Sequence, residues 1–324
     1  MRRWKLSANA AFFGTQSDGY TQYQPNRTLQ EKFELISQID GLDGIELKYP
    51  FDLEDVDLAE NLLKRHDLEL SAVNVDIKDA THFRYGALSA RSTQAREKAI
   101  ERLSAGMDIA AKLGAKLVTT CPLADAYEYA FEIDHRAAWQ RFIETVKEVG
   151  THRDDVRFAL EYQPHDMEAK PLLNSVGKIL FVCSEVDEPN MGANLDIGHS
   201  FAAQESPAEA AALLARKDRL FYIHTNDNPG DGGDWDMVSG SVHLWEWLEL
   251  LYTLDRLGYE GWLGADIAAH QLDPVPAFQA NTTMLTRMMA FLEQTDLDSI
   301  ENTIDLDDSQ LKVLDYLSSR LLED

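Results

Sequence analysis

Cysteine is nearly absent from this chain. Only Cys121 and Cys183 occur in 324 residues, outside any CxxC arrangement, so neither a disulfide framework nor a thiolate zinc site is expected. Positive charge is also scarce. Thirty Lys and Arg stand against 56 Asp and Glu, for a net charge of -26, and such a surface repels a polyphosphate backbone, which argues against nucleic acid as a partner. No window approaches the roughly 18 uncharged apolar residues of a membrane span. The opening "MRRWKLSANAAFFGTQ" meets polar residues too early for a secretory apolar core. These absences predict a soluble cytoplasmic chain whose carboxylates serve either solubility or the holding of metals.

What is present is alternation. Eight short apolar runs read as strands: 5–13, 44–50, 68–76, 116–122, 156–164, 191–199, 220–228 and 261–269. Longer segments of helical period lie between them. In 92–113, Ile100, Leu103, Met107 and Ala111 share one face, Ser92 is a candidate cap and Gly114 marks the end. Connections too long for hairpins imply parallel strands with right-handed crossovers, and eight repeats close a barrel. The expected fold is therefore an α/β chain forming a (β/α)8 TIM barrel over residues 1–295. The rival, an open doubly wound sheet, has no GxGxxG after the first strand to support it. Residues 296–324 form an acidic helical extension with Leu311, Leu314, Leu317 and Leu321 at helical spacing. That stripe needs burial on the barrel or on a second subunit, so a homo-oligomer, dimer or tetramer, is expected.

In such barrels the site forms at the C-terminal ends of the strands. Strand five offers Glu161 in "ALEYQP", strand six Asp196 and His199 in "LDIGHS", strand seven His224 in "YIHTND" and strand eight Asp266 in "GADIAA". Singly, a strand-end carboxylate is commonly a cap or ion-pair partner, and a histidine on an apolar strand a satisfied core residue. Four consecutive strands ending this way are harder to explain by capping. An unpaired charge on an apolar strand costs several kcal/mol unless a cation or partner compensates it. Carboxylates and imidazoles without thiolates suit magnesium, manganese or cobalt, with zinc possible. After strand seven comes "DNPGDGGDWDMVSG". In extended backbone Asp234 and Asp236 would face one way and Trp235 the other, giving a second ion its ligands, while Asp231 stays in water.

"EYQP", "LDIGHS", "HTND" and "DWDMVSG", in this order and followed by Asp266, resemble the xylose isomerase-like barrel superfamily, closest to the two-metal rhamnose and xylose isomerases. The resemblance implies that Glu161, Asp196, His224 and Asp266 hold a first divalent ion. Asp196, His199, Asp234 and Asp236 would hold a second. It further implies interconversion of aldose and ketose on a small unphosphorylated sugar, with the metals polarising neighbouring substrate oxygens, and a ring-opening role for His82. Glu46 and Lys48, at the mouth end of strand two, are candidates for substrate contact or for a salt bridge across the mouth. Trp4, Phe12 and Phe13 are candidates for an apolar wall against a sugar face, although core packing is the commoner use of such residues. Asp227 is a candidate to orient His224 or His199.

One position departs from the isomerase pattern. Those enzymes usually carry a lysine two residues after the strand-five glutamate, where this chain has Gln163. A neutral donor stabilises a developing oxyanion less, by about 2 kcal/mol. The alternatives are a one-metal ketose 3-epimerase, an inositol-type dehydratase, or a sugar- or metal-binding barrel without catalysis. The epimerases keep a glutamate on strand eight and lack the two-aspartate pair. Endonucleases of this fold that act at abasic sites need a basic groove, which a charge of -26 opposes.

Overall fold

The computed structural model describes residues 4–17, 20–165, 169–231, 233–268, 270–304 and 306–322. Eight parallel strands close into a barrel: β1 (Lys5–Asn9), β2 (Gly44–Tyr49), β3 (Glu69–Val75), β4 (Leu117–Thr120), β5 (Arg157–Glu161), β6 (Met191–Asp196), β7 (Leu220–Thr225) and β8 (Trp262–Ala265). β1 pairs with both β8 and β2, so the sheet has no free edge. The strands read as continuous apolar runs because both faces are covered, by helices outside and by packed side chains within. In the lumen the Tyr222 hydroxyl lies 3.0 Å from Ser7 Oγ on β1 and 3.0 Å from Ser71 Oγ on β3. A Cβ on Gly264 would sit 2.4 Å from that hydroxyl, so only glycine lets the phenol cross.

Around the barrel run α1 (Leu29–Ile36), α2 (Val56–His66), α3 (Thr93–Lys112), α4 (His135–Gly150), α5 (Val176–Val186), the short α6 (Ile197–Ala202), α7 (Pro207–Ala215), α8 (Leu244–Leu257) and α9 (Pro274–Glu293). Their starts are legible in the sequence. Thr28, Asp55, Ser92, Asp134, Ser175, Ser206 and Asp273 each turn a side-chain oxygen onto a backbone N–H of the first turn, each such cap contributing about 1 kcal/mol. α3 buries Ala99, Leu103, Gly106, Met107 and Ala110, while Ile100 and Ala111 of the expected face are half-buried. Side chains such as Phe158, Ile179, Leu195 and Leu254 are fully buried between sheet and helices, each worth about 1.5–3 kcal/mol in removed apolar surface. The chain continues through α10 (Leu297–Ile304) and α11 (Ser309–Leu322), on which Leu317 is buried while Leu311 and Leu314 remain exposed. No helix among the described residues is long and apolar enough to cross a membrane.

The strands are shorter than expected at their C-terminal ends. Residues 10–13, expected to continue the first strand, form a 3-10 helix. The expected sixth strand stops at Asp196, whose carboxylate caps α6, so His199 stands on a helix. The expected eighth stops at Ala265, and its last expected residue, Ala269, lies outside the described residues.

Candidate metal centre

Parallel register brings the strand ends to one depth. Asp196 pairs with His224, and Asn194 with Glu161. Glu161, Asp196 and His224 are buried and each offers a ligand atom within 4.8 Å of the others. His224 Nδ1 faces inward, 3.3 Å from Glu161 Oε2, 3.7 Å from Asp196 Oδ2 and 3.8 Å from Asp266 Oδ2. Its Nε2 lies 3.0 Å from Glu46 Oε2. A carboxylate only accepts, so Nε2 carries the hydrogen and the ring is held with Nδ1 toward the cluster. Asn9 at the end of β1 donates to Asp266 Oδ1 at 2.6 Å. Asn194 donates to Glu161 Oε2 at 2.8 Å.

A second group adjoins the first. His199 is buried, with Nδ1 3.3 Å from Glu161 Oε1 and 3.8 Å from Asp196 Oδ1, and Nε2 3.3 Å from Asp234 Oδ2. Gln163 Nε2 donates to the same Asp234 oxygen at 3.2 Å. Asn226, fully buried, donates to Asp196 Oδ2 at 3.0 Å and to Asp236 Oδ1 at 3.2 Å, and accepts from the Gly198 N–H at 2.6 Å. A Cβ on Gly198 would meet Asn226 Oδ1 at 2.6 Å, which bars any side chain there.

The aspartates of this group do not sit as alternation in a strand would place them. Asp236 is left-handed, with φ +43°, and that turn swings its carboxylate inward beside Asp234. Trp235 does point away, half-exposed, donating through Nε1 to the exposed Asp231.

The donor set fits a divalent cation. The carboxylates of Glu46, Glu161, Asp196, Asp234, Asp236 and Asp266 outnumber the two imidazoles, and most of this charge is out of water. Burial, reinforced by Glu161 and Asp234 against the pull of both imidazoles, lifts Asp196 to about 6. Burial and neighbouring carboxylates lift Asp266 to about 7, although His224 opposes them. Burial would depress both imidazoles, but Asp196 and Asp234 raise His199 well above its ordinary value, and Asp266 and Glu46 do the same for His224. Without a metal, protons must supply the counter-charge that a cation would supply. Of the six buried side-chain atoms without a hydrogen-bond partner among the described residues, two lie in this centre, His199 Nδ1 and Asn194 Oδ1.

Trp4, Phe13, His82 and Asp227 stand elsewhere than expected, while Glu46 and Lys48 form the ion pairs that were the alternative to substrate contact. Trp4 lies at the opposite end of the barrel, buried, its indole donating to the Tyr259 carbonyl just before β8. Phe13 is fully buried against Phe278, ring centroids 4.6 Å apart, so it belongs to the core rather than to a sugar wall. Lys48 pairs with Asp76 at 2.9 Å over the Phe51 ring. Glu46 holds a histidine of the cluster. His82 is exposed, its Nδ1 2.8 Å from Asp79, and lines a polar groove between the loops after β3 and β4 rather than the cluster. Asp227 makes no direct bond to His199 or His224 among the described residues; the histidine it holds is His243, at 2.8 Å.

The residues missed are mainly asparagines. Asn194 precedes Asp196 by two on β6, and Asn226 follows His224 by two; shared facing at period two is the signal that would have found them. Lys78, on the loop after β3, also bears on the site. Burial raises Asp234, but His199 and, further off, Lys78 bring its carboxyl below the usual range.

The profile of the xylose isomerase-like TIM barrel family matches residues 33–293, and the chain belongs to that family. A xylose isomerase of Thermus thermophilus is 26% identical over 199 residues, which is 60% of this chain and 51% of that protein. The chain thus spans about half the length of this curated relative. Among solved structures, a D-tagatose 3-epimerase-like protein superposes with TM-score 0.72 at 17% identity, covering 90% of this chain and 98% of the other. A D-allulose 3-epimerase from Methylomonas sp. gives TM-score 0.67 at 15% identity, with 89% and 99% covered. A 3-keto-D-glucoside 4-epimerase from E. coli gives 0.64 at 15% identity, with 89% and 100% covered. At such identities these structures attest the fold.

Proposed function

We propose that this chain is a divalent-metal-dependent aldose-ketose isomerase acting on a small unphosphorylated sugar. The observation that carries the reading is the second group: His199, Asp234 and Asp236 converge beside Asp196, next to Glu161, His224 and Asp266. Glu161, Asp196, His224 and Asp266 would hold one ion, and Asp196, His199, Asp234 and Asp236 another, with manganese, cobalt or magnesium the natural occupants. Bound there, the ions supply Lewis acidity toward two neighbouring substrate oxygens. In the reaction, hydride passes from C2 to C1 and the O2 proton ends on O1, so aldose and ketose balance. The residues' task is orientation. Gln163 Nε2, beside Asp234 Oδ2, donates to a substrate oxygen at that carboxylate. Because Gln163 is neutral, Lys78 provides the nearby positive charge, a role supported by its pull on Glu161 and Asp234. Glu46 fixes the ring of His224.

A second reading has its own support. The compact cluster of Glu161, Asp196 and His224 could hold one ion, and the superposed structures include a D-allulose 3-epimerase, so a one-metal ketose 3-epimerase is the competitor. Metal-stripped protein reloaded with manganese and offered a panel of aldoses and ketoses in heavy water separates them. Isomerisation without solvent deuterium in the product is expected. Epimerised ketose carrying deuterium at C3 would establish the competitor, and no turnover on any sugar would sink both.

A further inference from the structure

We infer that Asp227, His243 and Phe201 form a clamp that positions the ligands belonging to the second metal alone, His199, Asp234 and Asp236. The inference rests on the two-metal reading above.

Two separate segments carry the ligands of the second group. His199 stands on α6, and Asp234 and Asp236 on the long loop between β7 and α8. Neither segment is part of the barrel's ladder, and Asp236 adopts a left-handed conformation in which its carbonyl accepts from the Ala268 N–H at 3.2 Å. Both segments meet at one point. Asp227, fully buried just beyond β7, accepts from the N–H groups of Val242 at 2.9 Å and His243 at 3.1 Å, and from His243 Nδ1 at 2.8 Å. Its own backbone exchanges hydrogen bonds with Met237, N–H to O at 2.8 Å and back at 2.9 Å. One aspartate therefore fixes the end of the loop and also its strand one residue after Asp236.

The His243 ring then reaches the other segment. It lies parallel to Phe201, with centroids 4.0 Å apart and planes inclined by 18°. Phe201 follows His199 by two on α6. The stack sets the distance between the helix and the loop, and with it the 3.3 Å approach of His199 Nε2 to Asp234. The first group depends on this clamp far less: His199 Nδ1 touches Glu161 at 3.3 Å, but Glu161, Asp196 and His224 are fixed by strand register and by Glu46 and Asn194.

The test is manganese binding to the metal-free, full-length chain, followed by calorimetry and by electron paramagnetic resonance. Wild type should take up two equivalents. In His243→Ala the affinity of the second should fall at least tenfold, with the first changed less than twofold and the melting transition still cooperative. His243→Asn, which keeps a donor to Asp227 without the ring, should recover part of the loss. Phe201→Leu removes the stack alone and should weaken the second site in the same sense, which keeps the question open to answer if the alanine variant does not fold. A folded His243→Ala or Phe201→Leu protein that binds both ions as wild type does overturns the clamp and leaves the isomerase reading standing. Equal weakening of both ions overturns the selectivity claimed here. Uptake of a single equivalent by wild type removes the two-metal reading, and the clamp with it.

Discussion

The two halves of the candidate centre are built by different means. Glu161, Asp196, His224 and Asp266 come from the ends of consecutive strands, and their spacing follows from register. His199, Asp234 and Asp236 come from a short helix and a loop, and their spacing follows from side-chain contacts between segments that share no ladder. A site on strands inherits the rigidity of the sheet; a site on loops must supply its own. Asp196 belongs to both, since one oxygen caps α6 and the other faces His224.

That shared carboxylate should give the largest effect. Asp196→Ala is expected to abolish binding of both ions and to lower kcat/KM on the order of a thousand-fold, read by metal analysis and steady-state kinetics; retention of either ion would break the claim that the halves share a ligand. Next, Asp234→Asn should lose the second manganese with about a hundred-fold fall in kcat, while the first binds within a factor of about two. Smaller still, Glu46→Gln keeps the shape but not the charge behind His224, and should weaken the first ion by about tenfold without touching the second. Binding isotherms resolve the two cases.

The smallest effect concerns the loop after β3, outside both halves. Burial raises the Asp79 carboxyl, but hydrogen bonds from His82 and Arg102 bring it down to about 2. A depressed folded value contributes stability that is whole above the unfolded value near 4 and is lost as pH falls toward 2. Because Asp79 is partly exposed, screening limits its contribution to less than about 1 kcal/mol. Asp79→Asn should therefore cost stability at pH 6, with the difference from wild type narrowing below pH 4 in denaturant melts. A difference that stays constant across that range would refute the assignment.

How much was legible follows the same division. Strand order, closure, the α3 boundaries and the first group could be read directly, because apolar runs, caps and strand-end polar residues are local signals with a fixed period. That Asp234 and Asp236 reach the mouth near His199 was expected from the loop's place after β7, but by strand alternation; the left-handed turn at Asp236 and the Phe201–His243 stack are tertiary events without a local signal. The same limit misled the reading of Trp4 and Phe13. Aromatic residues near a strand look alike in sequence whether they face a mouth, a core or the far end of the barrel. Glu46 was placed at the mouth, but its partner lies 178 positions away, beyond any pattern of local spacing.

That long bond has a consequence for biogenesis. Glu46 is made early and His224 late, and β1 and β8 stand between their strands in the closed ring. A nascent chain that has not yet produced β7 lacks the imidazole that joins Glu161 and Asp196 in the compact cluster. On the proposed reading, tight capture of the first ion would await β7, and metal content would serve as an assay of matured protein.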